Sequence, residues 1–78
     1  MEKSEILNKV GERIKEVRLQ KGISQADLVG RMEGNIDATN ISRIEAGRTN
    51  PTVYTLFRIA EALEVNPKEL LDFDISQN

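Results

Sequence analysis

Helix-capping signals recur at short intervals along this chain of 78 residues. Ser24-Gln-Ala-Asp27 has the form of a capping box, in which the serine hydroxyl accepts a hydrogen bond from the backbone N–H three residues on. Asp37 and Thr52 suit N-cap positions. Asn66-Pro67 is typical of a helix start, because proline is tolerated in the first turn. The signals divide the chain into helix-sized segments and predict an all-α fold.

Apolar residues recur at helical spacing between these signals. Five helices are predicted, the first from Ser4 as N-cap to Lys21 with Gly22 as its stop. The other four are predicted over residues 24–32, 38–46, 52–63 and from 66 onward. Apolar residues of the fourth helix at i, i+3 and i+4 spacing are expected to face the core: Val53, Leu56, Ile59, Ala60 and Leu63.

The segment between the second and third helices reads as a turn, Glu33-Gly34-Asn35, followed by Ile36 inserted into the core. Ile41 and Ile44 form the inner stripe of the third helix, and its other positions are predicted to face outward. A chain of this length makes one domain. Its core is predicted over residues 10–71, with 72–78 as a short tail.

The tail alternates apolar and acidic residues from Leu71 to Ile75, which suits an extended segment with one apolar face. A two-fold partner could cover that face, and the candidate dimer contacts are Leu71, Phe73 and Ile75. The alternative is a tail that folds back on its own fifth helix or is disordered.

The composition excludes several classes of function. The chain has no cysteine and no histidine, which excludes disulfides, thiolate chemistry and histidine acid–base catalysis. It has no glycine-rich phosphate loop and no acidic cluster with metal spacing. No apolar stretch approaches the roughly 20 residues that span a bilayer. We therefore expect a cytoplasmic protein that is not an enzyme and needs no cofactor, metal or membrane.

The net charge is −2, but the acidic residues are concentrated towards the end. Residues 1–58 carry ten Lys/Arg and eight Asp/Glu, whereas residues 59–78 carry Lys68 against five carboxylates. A locally basic face outside the last 20 residues therefore remains compatible with an anionic partner.

The predicted third helix carries side chains suited to DNA bases. Asn and Arg can form bidentate hydrogen bonds with adenine and guanine, and Thr and Ala methyls can contact thymine. The candidates for base contact are Ala38, Thr39, Asn40 and Arg43, with Ser42 on the same exposed side. Short polar and basic residues at neighbouring helix ends suit phosphate oxygens. The candidates for phosphate contact are Ser24, Gln25, Arg48, Thr49 and Asn50. As an isolated feature, Ser24-Gln25 is more often a helix cap alone, since caps are common for purely structural reasons.

The order and spacing of these residues resemble the Cro/C1-type (XRE-like) helix-turn-helix family of phage repressors and bacterial regulators. The resemblance runs from Ile14 to Leu71. Its first half rests on Ile14, Val17, Arg18, Gly22, Ile23, Ser24, Gln25 and Leu28. Its second half rests on Ile41, Ser42, Arg43, Ile44, Glu45, Gly47, Arg48, Asn50, Pro51, Thr55, Leu56, Ile59, Ala60, Ala62, Leu63, Val65, Leu70 and Leu71.

The resemblance implies a five-helix, lambda-repressor-like DNA-binding domain with the helix-turn-helix in helices 2 and 3. By position, Ala38, Thr39 and Arg43 match the family's base-contacting positions, and Gln25 matches its phosphate-clamping glutamine. Arg18 and Glu45 match an internal ion pair. The sequence departs from the family in a longer segment between the second and third helices. It also has Glu64 where the family often has glycine at a helix stop.

We therefore expect a dimeric repressor that binds a double-stranded DNA operator with its third helix in the major groove. The alternative is an antitoxin-like protein-interaction module of the same fold, whose partner is a toxin or another regulator.

Overall fold

A computed structural model describes residues 1–32, Gly34 and 36–75. These residues form four α-helices and a 3-10 helix. In chain order they are α1 (Lys3–Gln20), α2 (Gln25–Arg31), α3 (Ala38–Glu45), α4 (Val53–Leu63) and the 3-10 helix (Pro67–Leu71). The all-α prediction is confirmed, whereas the count of five α-helices is wrong because the last segment is a 3-10 helix.

Three of the predicted caps are confirmed. The Ser24 hydroxyl accepts a hydrogen bond from the Asp27 backbone N–H at 3.0 Å, completing the capping box of α2. Asp37 accepts from the N–H of Asn40 at 2.9 Å, and Thr52 accepts from that of Thr55 at 3.1 Å. These bonds satisfy amide groups at the starts of α2, α3 and α4 that have no partner within their helix.

The first cap is different from the prediction. Glu2, not Ser4, is the N-cap of α1. Its side chain bonds the backbone of Glu5, and the Glu5 carboxylate accepts from the Glu2 backbone N–H at 2.9 Å. This reciprocal pair places the N-cap two residues before Ser4 and leaves Ser4 exposed within the first turn.

The fifth predicted helix is only five residues long. The Asn66 side chain makes no capping bond; instead the Asn66 carbonyl accepts from the Glu69 backbone N–H at 2.9 Å. A bond between residues three apart is the 3-10 pattern, which usually occurs in such short pieces. It is long enough to bury Leu70 completely.

The core is apolar, and every helical element contributes to it. Its buried members are Val10, Ile14, Val17, Ile23, Leu28, Met32, Ile41, Ile44, Ile59, Ala60, Leu63 and Leu70. Val53, which was expected to face this core, is 69% exposed. It is the first residue of α4, so its side chain lies beyond the edge of the core that Ile59, Ala60 and Leu63 join.

The segment between α2 and α3 is described only in part. Glu33 and Asn35 of the predicted turn lie outside the described residues. Ile36 is half-buried and packs against the core, as predicted. It therefore ties the end of this segment to the domain just before α3 begins.

The tail does not form the extended apolar face that the alternation predicted. Phe73 is half-buried and packs against the chain's own core. Leu71 belongs to the 3-10 helix and is 52% exposed, and Ile75 is 58% exposed. The remaining residues of the predicted tail, 76–78, lie outside the described part of the chain.

Candidate nucleic-acid interface

Helix α3 has one buried side and one exposed side. Ile41 and Ile44 are buried in the core, where α3 packs on α1 and α2. On the other side all five side chains singled out from the sequence are exposed: Ala38, Thr39, Asn40, Ser42 and Arg43. The structure therefore places the whole candidate base-contacting set on one accessible helix surface.

The buried side of α3 also includes Glu45, which the apolar stripe alone did not indicate. Glu45 forms a buried ion pair with Arg18 of α1. Arg18 donates from Nε to Oε2 at 2.7 Å and from Nη2 to Oε1 at 3.0 Å. Such a two-point contact fixes the relative orientation of the two side chains, and it ties the end of α3 to α1.

Arg18 is also bonded to the chain that leads into α2. Its Nη1 donates to the Ile23 carbonyl oxygen at 2.8 Å. The hydrogen bonds and negative charge of Glu45 raise the pKa of the Arg18 guanidinium above its ordinary value, although burial opposes this shift. The guanidinium therefore stays charged, and it holds α1, the start of α2 and the end of α3 together.

Gln25, a candidate phosphate contact, is bonded to the same ion pair. Its Nε2 donates to Glu45 Oε1 at 3.0 Å. Gln25 is half-buried, and the neighbouring Ser24 is exposed. The Ser24 hydroxyl oxygen accepts the capping bond, so its own proton remains able to donate. No feature of the local sequence indicated the Gln25–Glu45 contact, because the two residues are 20 positions apart.

The chain leaves α3 through a left-handed residue. Gly47 has φ of +75°, which glycine adopts without strain. The Arg48 backbone N–H then donates to the Arg43 carbonyl at 2.9 Å, closing the helix end. Arg48, Thr49 and Asn50 follow and are all exposed. The three candidate phosphate contacts therefore lie directly beside the end of α3.

A shallow cleft of about 260 Å³ joins part of this loop to the start of α3. Asn40, Thr49 and Asn50 line it together with Arg58 of α4. Arg58 is half-buried, and its guanidinium lies 5.8 Å from the centre of the Tyr54 ring. The fold thus places a cation of α4 beside the candidate interface.

Within the described residues, no three or more Asp and Glu side chains come together in a way that could hold a metal ion. No helix in this part of the chain has the length and apolar character needed to cross a membrane.

Two short helices, α2 and α3, are separated by a short segment, and the second is buried on one side and polar on the other. This arrangement defines a helix-turn-helix protein. The model of the HTH_3 family, described as helix-turn-helix, matches residues 14–70. The chain belongs to this family of DNA-binding transcriptional regulators.

Relatives in sequence and structure agree with this assignment. The chain is 37% identical over 62 residues to the HTH-type transcriptional regulator y4dJ of Sinorhizobium fredii, covering 80% of this chain and 78% of that protein. It is 39% identical over 64 residues to the control protein C.BamHI of Bacillus amyloliquefaciens, covering 81% of this chain and 76% of that protein. The crystal structure of the restriction-modification controller protein C.AhdI from Aeromonas hydrophila superposes with a TM-score of 0.76 at 33% identity. The match covers 82% of this chain and 94% of that chain.

Proposed function

We propose that this protein binds a specific double-stranded DNA operator as a homodimer and represses transcription, with α3 of each protomer in the major groove. One observation carries the proposal: α3 is held by its buried side while all its candidate base-contacting residues are exposed. An α-helix fits the major groove, where each base pair presents a distinct pattern of donors and acceptors. The relatives are named as regulators and controllers rather than as enzymes.

The exposed side chains of α3 supply the chemistry for sequence recognition. Asn40 offers both a donor and an acceptor to adenine, and Arg43 offers paired donors to guanine. Ala38 and Thr39 offer methyl groups that contact the thymine methyl. All four lie in the first two turns of α3, the part of a recognition helix that contacts base edges.

Phosphate contacts are assigned to the two ends of the motif. Ser24 and Gln25 lie at the start of α2, and Arg48, Thr49 and Asn50 lie just beyond α3. Two groups of contacts on either side of a recognition helix fix its orientation on the duplex without reading sequence. Glu69, the one acidic residue of the 3-10 helix, lies on an element that packs mainly on α1 and α4.

Dimerisation is proposed because a single domain of this size contacts only one half-site. Exposed apolar side chains offer surface for a second copy, including Leu71 and Ile75 from the candidate dimer set. A two-fold dimer places its two recognition helices about 34 Å apart, one turn of DNA.

Selection of bound duplexes from a random library tests the proposal. We expect a two-fold symmetric consensus, with log affinity falling steeply against log salt concentration because several phosphates are contacted. The variant with both Thr39→Ala and Arg43→Ala should lose specific binding. Lys15→Ala, which removes one exposed cation from α1, is the matched control and should retain it. An absence of enriched sequences for the wild-type protein contradicts the proposal.

A second candidate function is an antitoxin-like module that binds another protein. The observation that favours it is a group of exposed apolar residues at the start of α4: Val53, Tyr54 and Phe57 are 69%, 72% and 52% exposed. The double variant of α3 distinguishes the two functions. If the protein is a DNA-binding repressor, this variant should lose operator binding. If it is an antitoxin-like module, the variant should still bind its protein partner.

A further inference from the structure

We infer that Glu45 is a positioning residue for DNA: its buried carboxylate holds the Gln25 amide so that the second Nε2 hydrogen is presented to a backbone phosphate. This inference rests on the proposed function and adds to it a residue that touches no DNA. The supporting observation is the hydrogen bond of 3.0 Å from Gln25 Nε2 to Glu45 Oε1.

The contact determines which way the Gln25 amide points. An ionised carboxylate only accepts hydrogen bonds, so the amide must turn its nitrogen towards Glu45. The amide nitrogen carries two hydrogens, and the contact uses one of them. Since Gln25 is only half-buried at the start of α2, we assign the other hydrogen to an approaching phosphate oxygen. A free glutamine would lose rotamer freedom on binding, whereas this one is already ordered.

The negative charge of Glu45 would by itself repel a phosphate. Arg18 neutralises it with two hydrogen bonds, at 2.7 and 3.0 Å, and Arg18 is only 5% exposed. Because the cation is buried beside the carboxylate, the pair as a whole presents little net charge to a group approaching Gln25. The pair therefore orients the donor without driving the anion away.

Arg18 also holds the backbone that leads to Gln25. Its Nη1 donates to the carbonyl of Ile23, the residue before Ser24, at 2.8 Å. The side chain of Gln25 and the backbone that leads to it are thus both tied to one ion pair. Since Glu45 is the last residue of α3, the phosphate donor is held in a fixed relation to the recognition helix.

The test measures one phosphate contact at a time. The probe is the duplex that the wild-type protein selects from a random library, carrying single methylphosphonate linkages that remove one phosphate charge each. We expect one linkage in each half-site at which this change weakens wild-type binding by about tenfold, the effect of a hydrogen bond to a charged group. That loss should disappear in Gln25→Ala, because the contact is already absent.

The Glu45 variants separate positioning from a merely structural role. In Glu45→Gln and Glu45→Asp, the loss of affinity caused by the methylphosphonate at that linkage should be smaller than in the wild type, although Gln25 is present. The losses of affinity at the other linkages should stay as in the wild type. Lys15→Ala is the matched control and should keep every loss. Circular dichroism and thermal unfolding establish that each variant is folded at the assay temperature. Glu45→Asp retains a negative charge for Arg18 if Glu45→Gln does not fold.

Two results would overturn the inference. The first is a loss that persists at every linkage in Gln25→Ala. The second is a loss that disappears in Gln25→Ala yet is unchanged in the folded Glu45 variant, because Gln25 would then contact the phosphate without help from Glu45. Both differ from a failure of the proposed function, in which the wild-type protein selects no duplex at all.

Discussion

Gly11 of α1 lies directly against the backbone of Glu45 in α3. A Cβ atom built on Gly11 would be 2.6 Å from the Glu45 carbonyl oxygen, and the Ile44 carbonyl is similarly close. The two helices can approach this closely only because residue 11 has no side chain. The close approach brings α1 to the end of α3, where Arg18, seven residues further along α1, reaches Glu45.

Gly11→Ala should therefore destabilise the protein by about 3 kcal/mol, because the added methyl group meets rigid backbone rather than a movable side chain. Urea unfolding measures the change. Gly30→Ala is the matched control: it also lies in a helix, but its added Cβ would have no neighbour within 4 Å. It should stabilise the protein by about 1 kcal/mol through helix propensity. Equal effects at both positions would contradict the close packing of α1 on α3.

Arg18→Met should reduce the free energy of unfolding by about 3–5 kcal/mol, since it leaves the Glu45 carboxylate buried without a counter-charge. Arg31→Ala offers the comparison. Arg31 pairs with Glu64 at 3.8 Å, with side chains 47% and 78% exposed, and a pair so exposed contributes less than about 1 kcal/mol. Chemical denaturation of both variants checks the difference. A loss at Arg18 no greater than that at Arg31 would show that the ion pair does not hold the helices together.

Glu64→Gly should stabilise the protein by about 1 kcal/mol. Glu64 ends α4 with φ of +58°, in the left-handed region, where a residue with a Cβ is strained by about 1–2 kcal/mol and glycine is not. Loss of its weak contact with Arg31 offsets little of this gain. Glu61→Gly, in the interior of α4, should cost about 1 kcal/mol instead. The melting temperature should thus rise in Glu64→Gly and fall in Glu61→Gly. A lower melting temperature in both variants would contradict strain at Glu64.

The parts of the fold that could be predicted from sequence are those set by local interactions. Ser24, Asp37 and Thr52 cap their helices because each side chain bonds a backbone N–H only three residues away. Ser4 is not the cap, because the side chains of Glu2 and Glu5, on either side of it, bond each other's backbones. Both arrangements fit the local sequence, and only the structure distinguishes them.

The features that sequence could not supply depend on residues far apart in the chain. The surroundings of Phe73 are an example: an alternating tail indicates an apolar face, but whether the core has room for it depends on how α1 and the 3-10 helix pack. The contact of Gln25 with Glu45 and the place of Arg58 beside Asn40 likewise arise from the packing of separate helices. The exposed side of α3, by contrast, follows from helical periodicity around Ile41 and Ile44.

The central claim is that the exposed side chains of α3 recognise DNA bases, and selection of duplexes with the wild type and with Arg43→Ala tests it most directly. The account predicts that the wild type selects a symmetric consensus. In Arg43→Ala the preference should relax by about 1–3 kcal/mol at one symmetry-related pair of positions and remain at the others. An unchanged consensus, with every preference intact in Arg43→Ala, would contradict base recognition by Arg43.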